Sequence, residues 1–353
     1  MNDVVINAPT RLLAALARRN YSCPPVWFMR QAGRYHRHYQ ALRAQHEFVE
    51  LCKNPRLAAE VTLGPIAEFD FDAAILFSDL LFPLEAMGMG LRYAPGPQLD
   101  WQLRTSADLA RLQGGAALAS RLSFQAEALA LLRRQLSAER ALIGFVGGPF
   151  TLYAYAVAGS HEGFSRAGLP GLADGLYSGF CERLTMLLAA NMVLQARAGA
   201  DCVAIFDTAA GSLAPAQFAR FAAAPLAAVL QEFRRDCPET PVIYYSRETG
   251  PAHWAALAAL DIQCLGIDWR HDLAATLTAQ HRERCIQGNI DPQWLLLPAT
   301  QLEPRVRAVF ASVRALPAPV RAAWVCGLGH GVLPGTPEEN VRLVVEILRE
   351  MFA

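Results

Sequence analysis

Arg30 and Arg34 stand in the run Arg30-Gln31-Ala32-Gly33-Arg34-Tyr35, with Gly33 between them. Two guanidinium forks beside a residue that lets backbone approach a ligand suit a carboxylate or a phosphate. Through His46 the chain carries seven arginines (Arg11, Arg18, Arg19, Arg30, Arg34, Arg37 and Arg43) against one acid, Asp3. That imbalance marks an anion-facing segment, although a solvated basic loop would have the same charges. Asp79 closes an apolar run, Ala73 to Phe77, where an ionised carboxylate needs a donor or a cation beside it. Capping the following helix would employ the same residue. His330, in Leu328-Gly329-His330-Gly331, can titrate or donate near neutral pH, and a purely structural histidine is the plainer alternative.

Other chemistries lack their residues. There is no His-x-Cys, HExxH or Cys-x-x-Cys spacing for a preformed zinc site, no P-loop and no GxSxG elbow. The expectation is an anionic small molecule handled by arginine, aspartate, tyrosine and histidine, with no metal, no cofactor and no covalent nucleophile.

The elements that must position these groups follow from length and patterning. The 353 residues are 53% hydrophobic and 18% charged, enough for a large core, and 32 basic residues balance 32 acidic ones. A neutral chain has no global field to attract nucleic acid or an acidic membrane. Lys53 is the sole lysine, a bias that carries no functional reading. Eight cysteines without close pairs read as reduced, mostly buried small hydrophobes, and Met1 to Asn20 has no secretory pattern, so a cytoplasmic location is expected. The uncharged stretch Ala141 to Ser160 has the length of a membrane span, but Gly147-Gly148-Pro149 breaks it into a buried strand and a helix starting near Thr151.

Apolar runs bounded by turn residues predict strands at Val26–Met29, Ala73–Phe77, Leu142–Val146, Cys202–Phe206, Val242–Tyr245, Cys264–Ile267, Cys285–Gln287 and Ala323–Cys326. Helical spacing predicts helices over Pro55 to Phe69, Ala107 to Leu136, Leu176 to Ala198, Pro215 to Arg235, Pro251 to Leu260, Leu273 to Gln280, Leu302 to Leu316 and Pro337 to Met351. Eight β-then-α units without a linker fit an α/β fold, a single-domain (β/α)8 TIM barrel over residues 1–353, better than a doubly wound open sheet. No GxGxxG follows the first strand. Right-handed crossovers put every strand's C-terminal end on one face, where Arg30, Asp79, Thr208, Arg247, Asp268 and His330 all fall.

At Val26-Trp27-Phe28-Met29-Arg30-Gln31-Ala32-Gly33-Arg34-Tyr35 the chain resembles the uroporphyrinogen decarboxylase family of haem biosynthesis. Similar segments continue at Leu51 to Pro55, Asp72 to Asp79, Gly148 to Leu152, Gln287 to Pro292 and Leu328 to Val341, in order along nearly the whole chain. The resemblance implies a barrel, usually a homodimer, that removes carbon dioxide from the four acetate side chains of uroporphyrinogen III without a cofactor. It implies that Asp79 sits at the macrocycle centre, receiving pyrrole N–H groups and stabilising a cationic ring. It gives Arg30 and Arg34 the substrate carboxylates, with one of them a proton donor, and it gives Tyr155, Thr208 and His330 hydrogen bonds to substrate. The partner is therefore a small tetrapyrrole, with no nucleic acid and no membrane.

The chain departs from the family pattern at His36-Arg37-His38, at Thr208-Ala209-Ala210-Gly211, at Ala158-Gly159 and at Tyr244 to Gly250. The first places positive, titratable groups next to the proposed site in sequence. The alternatives are a paralogue acting on or binding a related tetrapyrrole, and a zinc- or cobalamin-linked methyltransferase sharing the barrel.

Overall fold

The structure, a computed structural model, describes residues 10–93, 96–160, 171–173 and 175–353; Asp3 and the start of the Met1 to Asn20 segment lie outside them. Strands β1 (Ala73–Ile75), β4 (Ala141–Gly147), β5 (Cys202–Phe206), β6 (Val242–Tyr245), β7 (Cys264–Gly266), β8 (Cys285–Ile290) and β9 (Trp324–Leu328) pair in that order as one parallel sheet. A small antiparallel pair, β2 (Arg92–Tyr93) with β3 (Pro97–Gln98), projects after β1.

The alternation of side chains along the strands separates two cores. Cys202, Ala204, Ile243, Tyr245, Cys264, Cys285 and Val325 cluster with Leu12, Ala15 and Leu16 of helix Arg11–Leu16. Their neighbours Val203, Ile205, Val242, Tyr244, Leu265, Ile286 and Trp324 pack with the surrounding helices. Period-two burial on both faces is what a parallel sheet covered by helices requires. It also explains the cysteines, since Cys202, Cys264 and Cys285 supply small fully buried side chains to the inward-facing set. All eight cysteines are free.

The first predicted strand, Val26–Met29, is corrected to a single bridge between Val26 and Cys326. On the β9 side, Cys326 N–H donates to Pro25 O at 2.8 Å. On the β1 side, Asp72 N–H donates to Val26 O at 2.9 Å and the Asp72 side chain accepts from Val26 N–H at 2.7 Å. Gln31 continues this seam, its Oε1 accepting from Phe28 N–H at 3.2 Å and its Nε2 donating to Ala73 O at 3.0 Å. The segment thus joins the two ends of the sheet with a few backbone bonds supplemented by buried side chains, which is why the pattern reads as a strand and no regular strand forms. Pro24 and Pro25 lack the N–H groups that a longer ladder would use.

Other boundaries move for identifiable reasons. The predicted helix Ala107 to Leu136 is broken into 3-10 turns Ser106–Arg111 and Ala116–Leu122 and helix Ser123–Gln135. Gly114 causes the break, because a Cβ there would sit 2.9 Å from Arg183 Cα on helix Leu176–Arg197, and Gly115 follows at φ +99°. The predicted helix Pro215 to Arg235 contains a π turn at Ala219–Ala223. The uncharged stretch resolves as β4 followed by helix Pro149–Ala158, with Pro149 in its first turn. Among the described residues no helix is long and apolar enough to cross a membrane.

Candidate active site

The mouth of the barrel, at the C-terminal ends of the strands, brings the predicted side chains together around Arg30. The seam ends at Arg30, whose backbone takes the left-handed region at φ +61°, and a Cβ on Gly331 would stand 2.5 Å from Arg30 Cδ. Strained backbone of this kind persists where surrounding structure fixes it, and it clusters at functional sites. Burial, then the charge of Arg34, lowers the Arg30 pKa, while Tyr155, Tyr245 and Asp79 act to raise it. No carboxylate among the described residues forms an ion pair with Arg30 or Arg34, so both forks are open to an anionic ligand.

Asp79 lies past the end of β1. Burial pushes its carboxyl above the usual range, opposed by the Leu81 N–H, which donates at 2.8 Å, by the Tyr93 hydroxyl and by Arg30. The Tyr93 hydroxyl faces Asp79 but lies outside the geometry of a full hydrogen bond. Asp79 is held from behind: Thr62 Oγ1 accepts from Phe77 N–H at 2.9 Å, and Gln125 donates to Ser78 Oγ at 2.9 Å. A carboxylate fixed in an apolar surround, with few donors of its own, is prepared to receive N–H groups or a positive charge.

Tyr155 reaches this group from helix Pro149–Ala158. Burial, then Asp79, pushes its hydroxyl up to about 12, with Arg30 opposing, so it remains a neutral donor. The helix is anchored by fully buried Asp207, which accepts from Thr151 N–H at 2.7 Å. Burial raises the Asp207 pKa to about 6, with Thr151 and Tyr244 among the opposing hydrogen bonds. Ala209 N–H donates to Thr151 Oγ1 at 3.0 Å. That bond ties the helix to the 3-10 turn Thr208–Ser212. Thr208, half-buried, opens this turn, and no direct bond joins it to the other predicted site residues among those described.

His330 follows β9. Burial, then Arg30 and Arg247, lowers its pKa to about 4, with Asp268 opposing. Its ring stacks on Tyr245 at 6.0 Å, with the Tyr245 hydroxyl 3.4 Å from Nδ1. A depressed base sets the sign of a stability effect. The unfolded chain takes up a proton near 6.5 and the folded chain only near 4. Stability from the neutral ring is therefore fully present above about 6.5 and is lost as pH falls toward 4. We expect wild type to lose roughly 1–2 kcal/mol more than His330→Gln between pH 6.5 and 5, read as urea midpoints. Parallel losses would mean that His330 titrates normally in the fold.

The family-departing His36-Arg37-His38 run turns away from this cluster, correcting its expected place beside the site. Arg37 pairs with Glu338 at the start of helix Glu338–Phe352 at 2.6 Å, and His36 is buried against Phe69. His38 packs on Gly64, where a Cβ would overlap its ring. His36 and His38 line a groove of about 660 Å³ with Arg56, Glu60 and Glu68, none of which is a predicted site residue. Tyr93, Asp207 and Tyr245 went unassigned in the sequence reading. Two of them carried a signal: Asp207 directly follows the apolar strand β5, and Tyr245 is the last residue of β6.

With the mouth's geometry in hand, comparison with known proteins places the chain. Residues 7–351 match the family described as uroporphyrinogen decarboxylase (URO-D). The chain belongs to the uroporphyrinogen decarboxylase family. Relatives named uroporphyrinogen decarboxylase include one from Roseiflexus sp. (strain RS-1), 36% identical over 98% of this chain and 99% of the relative. Another, from Legionella pneumophila, is 35% identical over 96% of each. Among solved structures, a methyltransferase from Methanosarcina mazei superposes with a TM-score of 0.77 over 97% of this chain and 98% of that one, at 21% identity. A structure from Listeria monocytogenes named as a putative vitamin-B12 independent methionine synthase gives 0.56 over 94% and 97% at 10% identity. At those identities the likeness is one of fold. Members of the uroporphyrinogen decarboxylase family are carboxy-lyases, and the open arginine forks near a half-buried aspartate suit that chemistry.

Proposed function

We propose that this chain removes carbon dioxide from the four acetate side chains of uroporphyrinogen III, giving coproporphyrinogen III, without a cofactor. The observation that carries the reading is Asp79 beside Arg30, with Arg34 next to Arg30 and neither arginine paired to a carboxylate among the described residues, in a chain that matches the family over residues 7–351. Arg30 and Arg34 take substrate carboxylates. Asp79 accepts the pyrrole N–H groups and stabilises the ring when a proton adds beside an acetate. The cationic ring then receives the electron pair of the breaking carbon–carbon bond as carbon dioxide leaves, and a second proton completes the methyl group. Arg30 suits the proton-donor role, because desolvation of its guanidinium and the charge of Arg34 lower its pKa. Tyr155, Thr208 and His330 hold acetate or propionate groups by hydrogen bonds.

The same reading treats residues 1–353 as one catalytic domain, acting in the cytoplasm as a homodimer on a soluble tetrapyrrole. The zinc-linked methyltransferase alternative fares worse. Among the described residues no three His, Cys, Asp or Glu side chains come together as metal ligands. Cys326 is fully buried with its thiol pushed well up by burial.

Release of four equivalents of carbon dioxide per uroporphyrinogen III tests the proposal; release from a related tetrapyrrole alone would favour the paralogue. For Arg34→Ala we expect a Michaelis constant raised roughly tenfold and less sensitive to salt, since a screened anion contact is lost. An unchanged constant would remove Arg34 from the site.

A further inference from the structure

Arg247 has no role in the reading above, yet it stands among residues that do. It follows β6, two positions after Tyr245, whose hydroxyl donates to Gly329 O at 2.8 Å and whose ring stacks on His330. The Arg247 guanidinium is near enough to lower the pKa of both Tyr245 and His330, as Arg30 also does. It is absent from the charges that act on Asp79 and Tyr155. Arg247 therefore lies on the Tyr245 and His330 side of the mouth.

The backbone is built to hold it there. Glu248 takes the left-handed region at φ +65°, and its N–H donates to Asp268 Oδ2 at 2.7 Å. Asp268 is itself buried and gripped by the Arg270 fork at 2.8–3.1 Å. On the other side the Arg247 carbonyl lies so close to Gly211 that no Cβ would fit, which ties the turn to the one opened by Thr208. Non-glycine strain secured from two directions is expected where a side chain must be presented accurately.

The charge of Arg247 is committed only loosely. Its ion-pair partner is the adjacent Glu248 at 2.6 Å, and the two side chains are 34% and 31% exposed. Pairs this open contribute little and exchange readily for another anion. A substrate with eight carboxylates brings more negative charge than Arg30 and Arg34 neutralise.

We propose that Arg247 is a third carboxylate-binding arginine of the mouth, exchanging Glu248 for a substrate carboxylate on the His330 side and setting affinity more than turnover. The identity of the ligand as a polycarboxylate tetrapyrrole rests on the decarboxylase reading. Because the bound group lies on the Tyr245 and His330 side, its loss weakens binding without removing the charge stabilisation at the reacting ring.

The test measures binding and turnover separately for wild type, Arg247→Gln and Arg247→Lys. Binding is followed by absorbance with uroporphyrin, the oxidised eight-carboxylate ring, at low and high salt; turnover uses uroporphyrinogen III. For Arg247→Gln we expect uroporphyrin affinity to fall about tenfold with a weaker salt dependence. We expect the Michaelis constant to rise in parallel, kcat to drop by less than threefold, and Lys to restore most of the affinity. Unchanged affinity in Arg247→Gln would overturn the proposal, as would a kcat loss as large as the binding loss. If wild type binds uroporphyrin but releases no carbon dioxide, the decarboxylase reading fails while the Arg247 comparison still decides this inference. If wild type does neither, both fall.

Discussion

Replacing Asp79 by Asn is expected to lower kcat by about 10²–10³ while changing the Michaelis constant less than about fivefold. Asn keeps the shape of the side chain and can still accept the Leu81 N–H that Asp79 receives at 2.8 Å, so the loop after β1 stays in place. What disappears is the negative charge. Arg30 feels the Asp79 charge only as the last of the influences that raise its pKa, after Tyr155 and Tyr245. The charge therefore matters most when a positive ring forms against it, and that ring exists only after protonation. Interactions made only then appear in kcat. Equal losses in kcat and in affinity would make Asp79 a ground-state ligand and would contradict the role assigned to it. Steady-state kinetics on the two proteins decide the point.

The second large effect is on stability, at the opposite end of the barrel. Asp72 is 3% exposed and holds the seam: it accepts from Val26 N–H at 2.7 Å, from Arg11 at 3.1 Å and from Arg349 at 2.8 Å. Arg140 adds a longer contact at 3.8 Å. These partners come from the N-terminal helix, the last helix and the segment leading into β4, so one carboxylate ties the chain's two ends to the first strand. Asp72→Ala leaves Val26 N–H and the facing guanidinium groups without their acceptor. Breaking a buried ionic cluster from one side costs about 3–5 kcal/mol. We expect a loss of that size in the urea midpoint with an unchanged m value. A loss below about 1 kcal/mol would show that the arginines hold the seam without the carboxylate. Asp72 lies at the N-terminal end of β1, the face of a barrel that serves stability.

What the sequence revealed, and what it withheld, can be traced to individual residues. Cys202–Phe206 and Val242–Tyr245 were legible to the residue because each is a short apolar run that turn-forming or polar residues cut off on both sides. Val26–Met29 has the same look, yet its partners on one side are the side chains of Asp72 and Gln31, which no strand pattern encodes. The predicted helix Ala107 to Leu136 runs straight through Gly114-Gly115, because the cause of the break, the backbone of Arg183 pressing on Gly114, is a contact between distant segments. Among site residues, Arg30 lies near enough to Asp79, Tyr155 and His330 for the charges to act on one another, and Arg34 acts on Arg30. Asp207 and Tyr245 were harder, because a polar residue at a strand end faces the mouth or the helices according to register, and register is fixed only by the neighbouring strands. The His36-Arg37-His38 departure pointed the wrong way for a related reason: Glu338, the partner of Arg37, is brought beside it only when the barrel closes.

The central claim is that Asp79 and the arginines around it remove the acetates of uroporphyrinogen III. Its most direct test is an anaerobic incubation of the purified chain with that substrate, without added metal or cofactor, beside Asp79→Asn. Oxidation to porphyrins and separation by carboxylate number would follow. The account predicts four-carboxylate product from wild type and mainly eight-carboxylate material from Asp79→Asn. Eight-carboxylate material alone from folded wild type would contradict it.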